Sequence, residues 1–282
     1  MKRGYADTPE GQVHYATAGQ GAPLILLHQT GSSSQYWRLM PLLAKQFKVY
    51  ALDTLGSGNS DPLPPNVQIP DLARNVIHVM DFLGIAKAHV FGHHTGNKIG
   101  TELGAGWPQR VDRLILCGQT HSIQAEHQNL VAVMGGRVLP RLQQFEAAPD
   151  GSHLVKQWAA EFSHLSAAWW DIATYAQQKL TAEMFEHRKE HIVAHLQARG
   201  EAEKYHAILA MDLGARMREI KVKTLIIEVR VPDEAHLSPQ GEKLVKLIRD
   251  SRLATIEHTT GGIVVEAPAA DEIARLILDF LR

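Results

Sequence analysis

The chain has 282 residues, 45% of them hydrophobic, and a formal net charge of −1. This length allows one or two globular domains, and the near-neutral charge argues against nucleic acid, an anionic membrane or a strongly charged substrate as a partner. The single cysteine, Cys117, excludes an internal disulfide and fits a reducing compartment. The N-terminal residues lack the apolar core of a signal peptide, and no apolar run approaches the length of a membrane helix, so a cytoplasmic protein is expected. The sequence leaves open whether it is a monomer or a homodimer.

Six short apolar runs, each followed by turn residues, predict buried strands. They lie at 24–28, 48–53, 89–93, 113–118, 224–229 and 253–258. Near-continuous apolar strands are typical of a parallel sheet covered on both faces. Residues 7–20 are compatible with an antiparallel edge hairpin that has Gly11 and Gln12 in its turn. Segments 70–84 and 269–282 carry apolar residues at helical spacing, so the alternation predicts an α/β architecture.

Residues 119–220 interrupt this alternation because they contain no convincing strand and look helical throughout. A helical insertion in an α/β chain is expected at the carboxyl edge of the sheet, where ligands bind. The sequence therefore predicts a core formed by residues 1–118 and 221–282 and a helical cap at 119–220. Trp169 and its neighbours either roof an apolar pocket or pack the cap against the core.

The strongest local signal for chemistry surrounds His94. Gly92 and Gly96 flank His94 at the spacing G-x-Nu-x-G, where Nu is a nucleophile, with a strand before the motif and a helix after it. This is the context of a nucleophile elbow, a sharp turn that presents its middle side chain above the sheet. The backbone N–H of Thr95 is then expected to act as an oxyanion donor, and His93 is expected to pack beside the elbow.

Further motifs follow the same order as in a known family. They are Leu27-His28 with Gly31 and Trp37, the turn 53–60, the run 108–111, and Glu266-Ala267-Pro268. Together with the elbow they resemble the α/β-hydrolase fold superfamily over the chain apart from 119–220. The resemblance implies a mostly parallel central sheet flanked by helices, with an all-helical cap insertion. It also implies an oxyanion loop at residues 28–31, with His28 kept for structure.

Three departures from the family pattern affect the expected chemistry. The elbow carries His94 in place of the family's serine, aspartate or cysteine, and the usual position of the catalytic histidine is Gly261. In the oxyanion loop the usual glycine is replaced by Gln29, whose amide adds a possible donor to the N–H of Thr30. A conventional Ser-His-Asp relay is therefore excluded.

The two changes at the elbow and at Gly261 are complementary. A histidine side chain is longer than serine, so the ring of His94 has the reach to extend toward the space at Gly261. There it would meet an acid that follows the strand at 224–229, either Asp233 or its neighbour Glu234. The sequence thus predicts a His94–Asp233 dyad in which His94 is a general base or a nucleophile.

Other candidates were weighed against structural explanations. His121 follows a strand at the pocket edge and is a possible substrate contact. The helical spacing of His187, His191 and His195 suits a metal, but the surrounding charges favour a solvated face, and no metal site is predicted. The glycines at 56 and 58 lack the remainder of a phosphate-binding loop.

The predicted function is that of a cofactor-free enzyme acting on a small molecule. Hydrolysis of an ester, a lactone or a carbon–carbon bond is the expectation that follows from the resemblance. A lyase or isomerase that abstracts a proton in the same pocket is an alternative. A second alternative is a non-catalytic ligand-binding protein of the same fold.

Overall fold

The computed structural model describes residues 1–29, 31–118, 148–156, 193, 200–230, 239–257 and 269–282. The strands of this part form one eight-stranded sheet in the order β1-β2-β4-β3-β5-β6-β7-β8. β2 is antiparallel to both of its neighbours, and all other neighbouring pairs are parallel. The strands are β1 Lys2–Thr8, β2 Gly11–Ala18, β3 Pro23–Leu27, β4 Lys48–Leu52, β5 Ala88–His93, β6 Val111–Cys117, β7 Lys223–Arg230 and β8 Ser251–Glu257.

The expectation of a mostly parallel sheet is confirmed, and each of the six predicted strands is present with slightly different ends. The predicted hairpin is longer than expected, and its turn lies at residues 9–10 instead of Gly11 and Gln12. The reason is that Gly11 pairs with Thr8 across the ladder, and the Thr8 hydroxyl donates to the Gly11 carbonyl at 2.6 Å. β1 has a single buried residue, Ala6, so it lacks the apolar pattern that reveals a strand.

Helices cover both faces of the sheet. The described helices are α1 Leu39–Leu43, α2 Ile69–Phe82, α3 Thr95–Gly106, α4 Glu201–Ala210, α5 Leu213–Arg218, α6 Gly241–Leu247 and α7 Ala269–Leu281, with short 3-10 helices at Ser33–Tyr36 and Pro108–Arg110. None of these described helices is both long enough and apolar enough to cross a bilayer. The division into a core and a cap at 119–220 stays a prediction, because much of that segment lies outside the described residues.

Two hydrophobic clusters form the core, one on each face of the sheet. Alternate residues of the inner strands contribute to opposite clusters: in β6, Leu114 and Leu116 belong to one, and Ile115 and Cys117 belong to the other. The first cluster includes side chains of α2, α3, α5 and α6, whereas the second includes those of α1 and α7. The period of two along the strands explains why they are apolar throughout.

The strand order places the candidate site. From β3 the chain continues to β4 on one side, while β5 lies on the other side and leads on to β6. The direction of winding therefore reverses between β3 and β5. In open α/β sheets the crevice at the carboxyl ends of such strands is where ligands bind. His28 follows β3 and His94 follows β5, so both stand at this point.

Candidate active site

His94 lies in a strained turn between β5 and α3. Its backbone has φ 47° and ψ −100°, a combination that residues with a Cβ rarely adopt. Two backbone hydrogen bonds connect the turn to the ends of β6 and β3. The His94 N–H donates to the Cys117 carbonyl at 3.2 Å, and the Gly96 N–H donates to the His28 carbonyl at 3.0 Å. Strain of this kind persists only where the surroundings enforce it, and it is concentrated at functional sites.

The two glycines of the motif are required by close packing. A Cβ atom on Gly92 would lie 2.2 Å from the Gly96 carbonyl oxygen, and one on Gly96 would lie 2.0 Å from the Leu27 carbonyl oxygen. Both contacts are with backbone atoms, which cannot move aside as a flexible side chain does. The glycine spacing in the sequence therefore has a direct steric cause.

The imidazole of His94 lies over the end of β6. A Cβ atom built on Gly118 would lie 3.0 Å from His94 Nε2, and Gly118 itself has φ +84°. The Gly118 N–H donates to the Ile227 carbonyl of β7 at 3.0 Å. The ring thus lies beside the end of β6. The neighbouring strand β7 leads into the segment that contains Asp233.

His93 packs against the ring of His94, with centroids 4.4 Å apart and planes inclined at 63°. The side chain is fully buried, and neither of its ring nitrogens has a hydrogen-bond partner within the described part of the chain. Burial, reinforced by the nearby His94 and His28, holds the pKa of the His93 imidazole well below its ordinary value. His93 is therefore a neutral, closely packed neighbour of the elbow.

Thr95 is the first residue of α3. The N–H of Gly96 and the N–H of Asn97 have backbone acceptors, whereas that of Thr95 has none among the described residues. The N-terminus of a helix carries partial positive charge from its aligned peptide dipoles. An N–H at this position, adjacent to His94, is suited to donate a hydrogen bond to a carbonyl oxygen that gains negative charge.

His28, in the predicted oxyanion loop, contacts the turn that follows β4. His28 Nε2 accepts a hydrogen bond from the Thr54 N–H at 3.0 Å, and the Thr54 hydroxyl lies 3.2 Å from the same nitrogen. The His28 ring is buried, and its Nδ1 contacts the Gln29 carbonyl oxygen. Because Nε2 acts as an acceptor, Nδ1 is the nitrogen that carries the proton and donates to Gln29.

Asp53, just after β4, is hydrogen-bonded to residues around the same turn. Its carboxylate accepts the Ser33 N–H at 2.7 Å and the Asn59 N–H at 3.0 Å, and lies 2.9 Å from His14 Nδ1. Burial by itself would raise the pKa of the Asp53 carboxyl, but the hydrogen bonds with His14, Ser33 and Asn59 bring it down to about 2. A Cβ atom on Gly58 would lie 2.2 Å from this carboxylate, so that glycine is needed for the close approach.

The structure brings His28, His93, His94 and Thr95 together at the switch point. Gln29 follows β3 there, and Trp37 is half-buried just after the first 3-10 helix. Six residues of the predicted site lie outside the described residues: Thr30, His121, Trp169, Asp233, Glu234 and Gly261. Their predicted roles, including the His94–Asp233 dyad, stay predictions.

Three residues near the site were not singled out from the sequence. Lys98 is buried in α3, and its ammonium group lies 3.4 Å from the His94 carbonyl oxygen. Gly118 lies beneath the His94 ring, and Lys204 reaches the turn after β4 from α4. The sequence signal for Lys98 was its position four residues after His94 on a helix. No group of three acidic, histidine or cysteine side chains suited to a metal occurs among the residues described.

Comparison with known proteins gives concordant results. The α/β-hydrolase fold family matches residues 22–209. A 2-hydroxy-6-oxo-6-phenylhexa-2,4-dienoate hydrolase from Comamonas testosteroni is 29% identical over 279 residues, covering 96% of this chain and 91% of that protein. A 2-hydroxy-6-oxononadienedioate/2-hydroxy-6-oxononatrienedioate hydrolase from Escherichia coli is 28% identical over 284 residues, with coverage of 96% and 91%. A hydrolase structure from Pseudomonas aeruginosa aligns with a TM-score of 0.74 and 25% identity, covering 99% of this chain and 98% of that one.

Proposed function

Since the chain belongs to the α/β-hydrolase fold family and is an enzyme of that fold, we propose that it hydrolyses a carbon–carbon, ester or lactone bond of a small carbonyl compound, with His94 as the general base. The observation that carries the proposal is the backbone of His94, held at φ 47° and ψ −100° beside the Thr95 N–H, which has no acceptor among the residues that the structure describes. A strained turn that presents an imidazole next to an oxyanion donor is the geometry that carbonyl hydrolysis needs.

In the proposed reaction one ring nitrogen of His94 takes a proton from a water molecule, which attacks the substrate carbonyl. The oxygen that gains negative charge would be held by the Thr95 N–H and by donors of the predicted oxyanion loop. The tetrahedral intermediate then collapses, the bond between the carbonyl carbon and the leaving carbon or oxygen breaks, and protonated His94 returns its proton to the leaving group. Histidine has an ordinary pKa of about 6.5, which suits proton transfer near neutral pH. His93, whose pKa is held well below its ordinary value by burial, adds no positive charge beside His94.

Asp233 is the proposed orienting acid, with Glu234 as the alternative. Support comes from the position of the His94 ring over Gly118, on the side of the sheet where β7 ends and the segment with Asp233 begins. An acid in this role fixes the tautomer of the imidazole and stabilises its protonated form.

The relatives guide the choice of substrate class. The Comamonas relative is named for a 2-hydroxy-6-oxo-6-phenyl dienoate, and the Escherichia relative is named for related dienedioates. Hydrolysis at the ketone of such a compound breaks a carbon–carbon bond. We propose a substrate of this class, an oxo acid whose ketone is placed over His94.

The test is turnover of 2-hydroxy-6-oxo-6-phenylhexa-2,4-dienoate and of a p-nitrophenyl ester by wild type and His94→Ala. Loss of the general base should lower kcat by about 10²- to 10⁴-fold. His206→Ala, an exposed histidine on α4, is the matched control and should be unaffected. Undiminished turnover in His94→Ala would remove His94 from the mechanism.

Further measurements separate the remaining possibilities. Mass spectrometry of the enzyme quenched during turnover would detect an acyl group on His94 if that residue were a nucleophile. Failure to incorporate oxygen from ¹⁸O-water would point to a lyase or isomerase, and tight binding without any product would point to a ligand-binding protein. The pair His94→Ser with Gly261→His would rebuild the family arrangement, and we expect it to be more active than His94→Ser alone.

A further inference from the structure

Helix α4 carries a buried lysine that the proposed mechanism does not use. Lys204 is 3% exposed, and its ammonium group donates to the Ser57 hydroxyl at 2.5 Å and to the Thr54 hydroxyl at 3.3 Å. Both hydroxyls belong to the turn after β4. Burying an ammonium group is unfavourable unless the group is well hydrogen-bonded. The buried position of Lys204 therefore points to a role for its hydrogen bonds.

The hydroxyl of Thr54 links this lysine to the oxyanion loop. It lies 3.2 Å from His28 Nε2, which also accepts the Thr54 N–H. Because the Thr54 hydroxyl oxygen accepts a hydrogen bond from Lys204, its own hydrogen can point toward His28 Nε2, where it shares the lone pair of that nitrogen with the Thr54 N–H. His28 then donates through Nδ1 to the carbonyl of Gln29.

The three hydrogen bonds that join Lys204, Thr54, His28 and Gln29 all have their donors on the same side. Lys204 donates to Thr54, Thr54 donates to His28, and His28 donates to the peptide group that follows Gln29. A charged donor at the start of such a chain polarises each later bond and strengthens it, above all where water is excluded. Lys204, Thr54 and His28 are all buried.

The end of the chain is a peptide group of the oxyanion loop. A peptide group is planar, and its N–H points opposite to its C=O. A hydrogen bond that fixes the Gln29 carbonyl thereby fixes the direction of the whole group, including the N–H that the sequence assigns to the oxyanion.

We propose that Lys204 is a positioning residue that acts through Thr54 and His28 to orient the peptide group after Gln29 in the oxyanion loop. This inference rests on the proposed function, because it assigns Lys204 to transition-state stabilisation in the same site. Lys204 and Thr54 are 150 residues apart in the chain, so the contact also ties α4 to the edge of the sheet where the reaction occurs.

The first experiment compares Lys204→Met with wild type and with Lys243→Met, an exposed lysine on α6. The probe substrate is 2-hydroxy-6-oxo-6-phenylhexa-2,4-dienoate. We expect kcat to fall by about 10- to 100-fold in Lys204→Met with little change in KM, because a misoriented donor affects the transition state more than the bound substrate. Lys243→Met should match wild type.

The second experiment uses Thr54→Val and Thr54→Ser, because Lys204→Met also removes the hydrogen bonds that join α4 to the turn after β4 and can lower stability. Valine has the shape of threonine without the hydroxyl, whereas serine keeps the hydroxyl. We expect Thr54→Val to lose kcat as Lys204→Met does, and Thr54→Ser to retain it. In ¹⁵N NMR spectra, the resonance of His28 Nε2 should move toward that of a nitrogen with fewer hydrogen bonds in Thr54→Val but not in Thr54→Ser.

The outcomes distinguish this inference from the proposed function. Absence of turnover by wild type would refute the proposed function, and full activity of His94→Ala would refute the role of His94 as its general base. In both cases the NMR comparison would still test the series of hydrogen bonds from Lys204 to His28. If His94→Ala is inactive but Lys204→Met and Thr54→Val keep the kcat of wild type, the positioning role is wrong. An unchanged His28 resonance in Thr54→Val would refute the chain itself.

Discussion

Replacing His94 by glycine and by alanine separates the backbone of the elbow from the chemistry of its side chain. Both variants lack the imidazole, so both should be inactive in the same assay. They differ in the Cβ atom, which alanine keeps and glycine lacks. At φ 47° and ψ −100° a residue with a Cβ is strained, whereas glycine adopts this conformation readily.

The magnitude follows from two opposing effects. Holding a non-glycine residue in such a region costs about 1–3 kcal/mol, and glycine removes that cost. Glycine also gives the unfolded chain more conformational freedom, which favours unfolding by about 0.4–1 kcal/mol. We therefore expect His94→Gly to be more stable than His94→Ala by about 1–2 kcal/mol. At about 2–4 °C per kcal/mol, its Tm should be higher by a few degrees.

The assay is urea unfolding followed by circular dichroism, supported by thermal unfolding of both variants. Ala105→Gly in α3 is the control, and there the order is reversed, because glycine in a helix is less stable than alanine by about 1 kcal/mol. If His94→Ala proves as stable as His94→Gly or more so, the elbow is not strained, and the argument from strain to function fails.

Three other substitutions test the surroundings of the elbow. Asp53→Asn should lower the free energy of unfolding by about 2 kcal/mol at neutral pH, because the pKa of Asp53 is about 2 in the folded protein against an ordinary 3.8. Urea unfolding should show this difference from wild type vanish as the pH falls from about 4 to about 2. His93 stays neutral in the folded protein but takes a proton in the unfolded chain below about pH 6.5. The free energy of unfolding of wild type should therefore fall, relative to that of His93→Phe, by up to about 1.4 kcal/mol per pH unit below that value, measured by urea unfolding. Gly118→Ala should lower kcat, because the new Cβ would lie 3.0 Å from His94 Nε2. It should also lower the free energy of unfolding by about 1–3 kcal/mol, because residue 118 has φ +84°. An unchanged kcat would contradict the position of the His94 ring.

Much of the fold was predictable because the relevant signals are local. Each apolar run between turn residues predicted a strand of the central sheet, and all six are present. β1 escaped prediction because it is an edge strand with one buried residue, Ala6, and has no apolar pattern of its own. The turn of the first hairpin was misplaced because Gly11 suits a turn, yet the pairing of Thr8 with Gly11 makes it part of the strand.

The elbow itself was also predictable, since Gly92, His94 and Gly96 are close in sequence and their spacing reflects a local steric need. The position of the His94 ring over Gly118, the neutral state of His93 and the contact of Lys204 with Thr54 were not. Each depends on residues that only the strand order brings together: β6 beside β5, and α4 against the turn after β4. The sequence by itself determined the turn that presents His94, because steric limits act between neighbours in the chain. The tertiary structure alone decided which groups surround the imidazole, because burial and hydrogen bonding depend on distances in space.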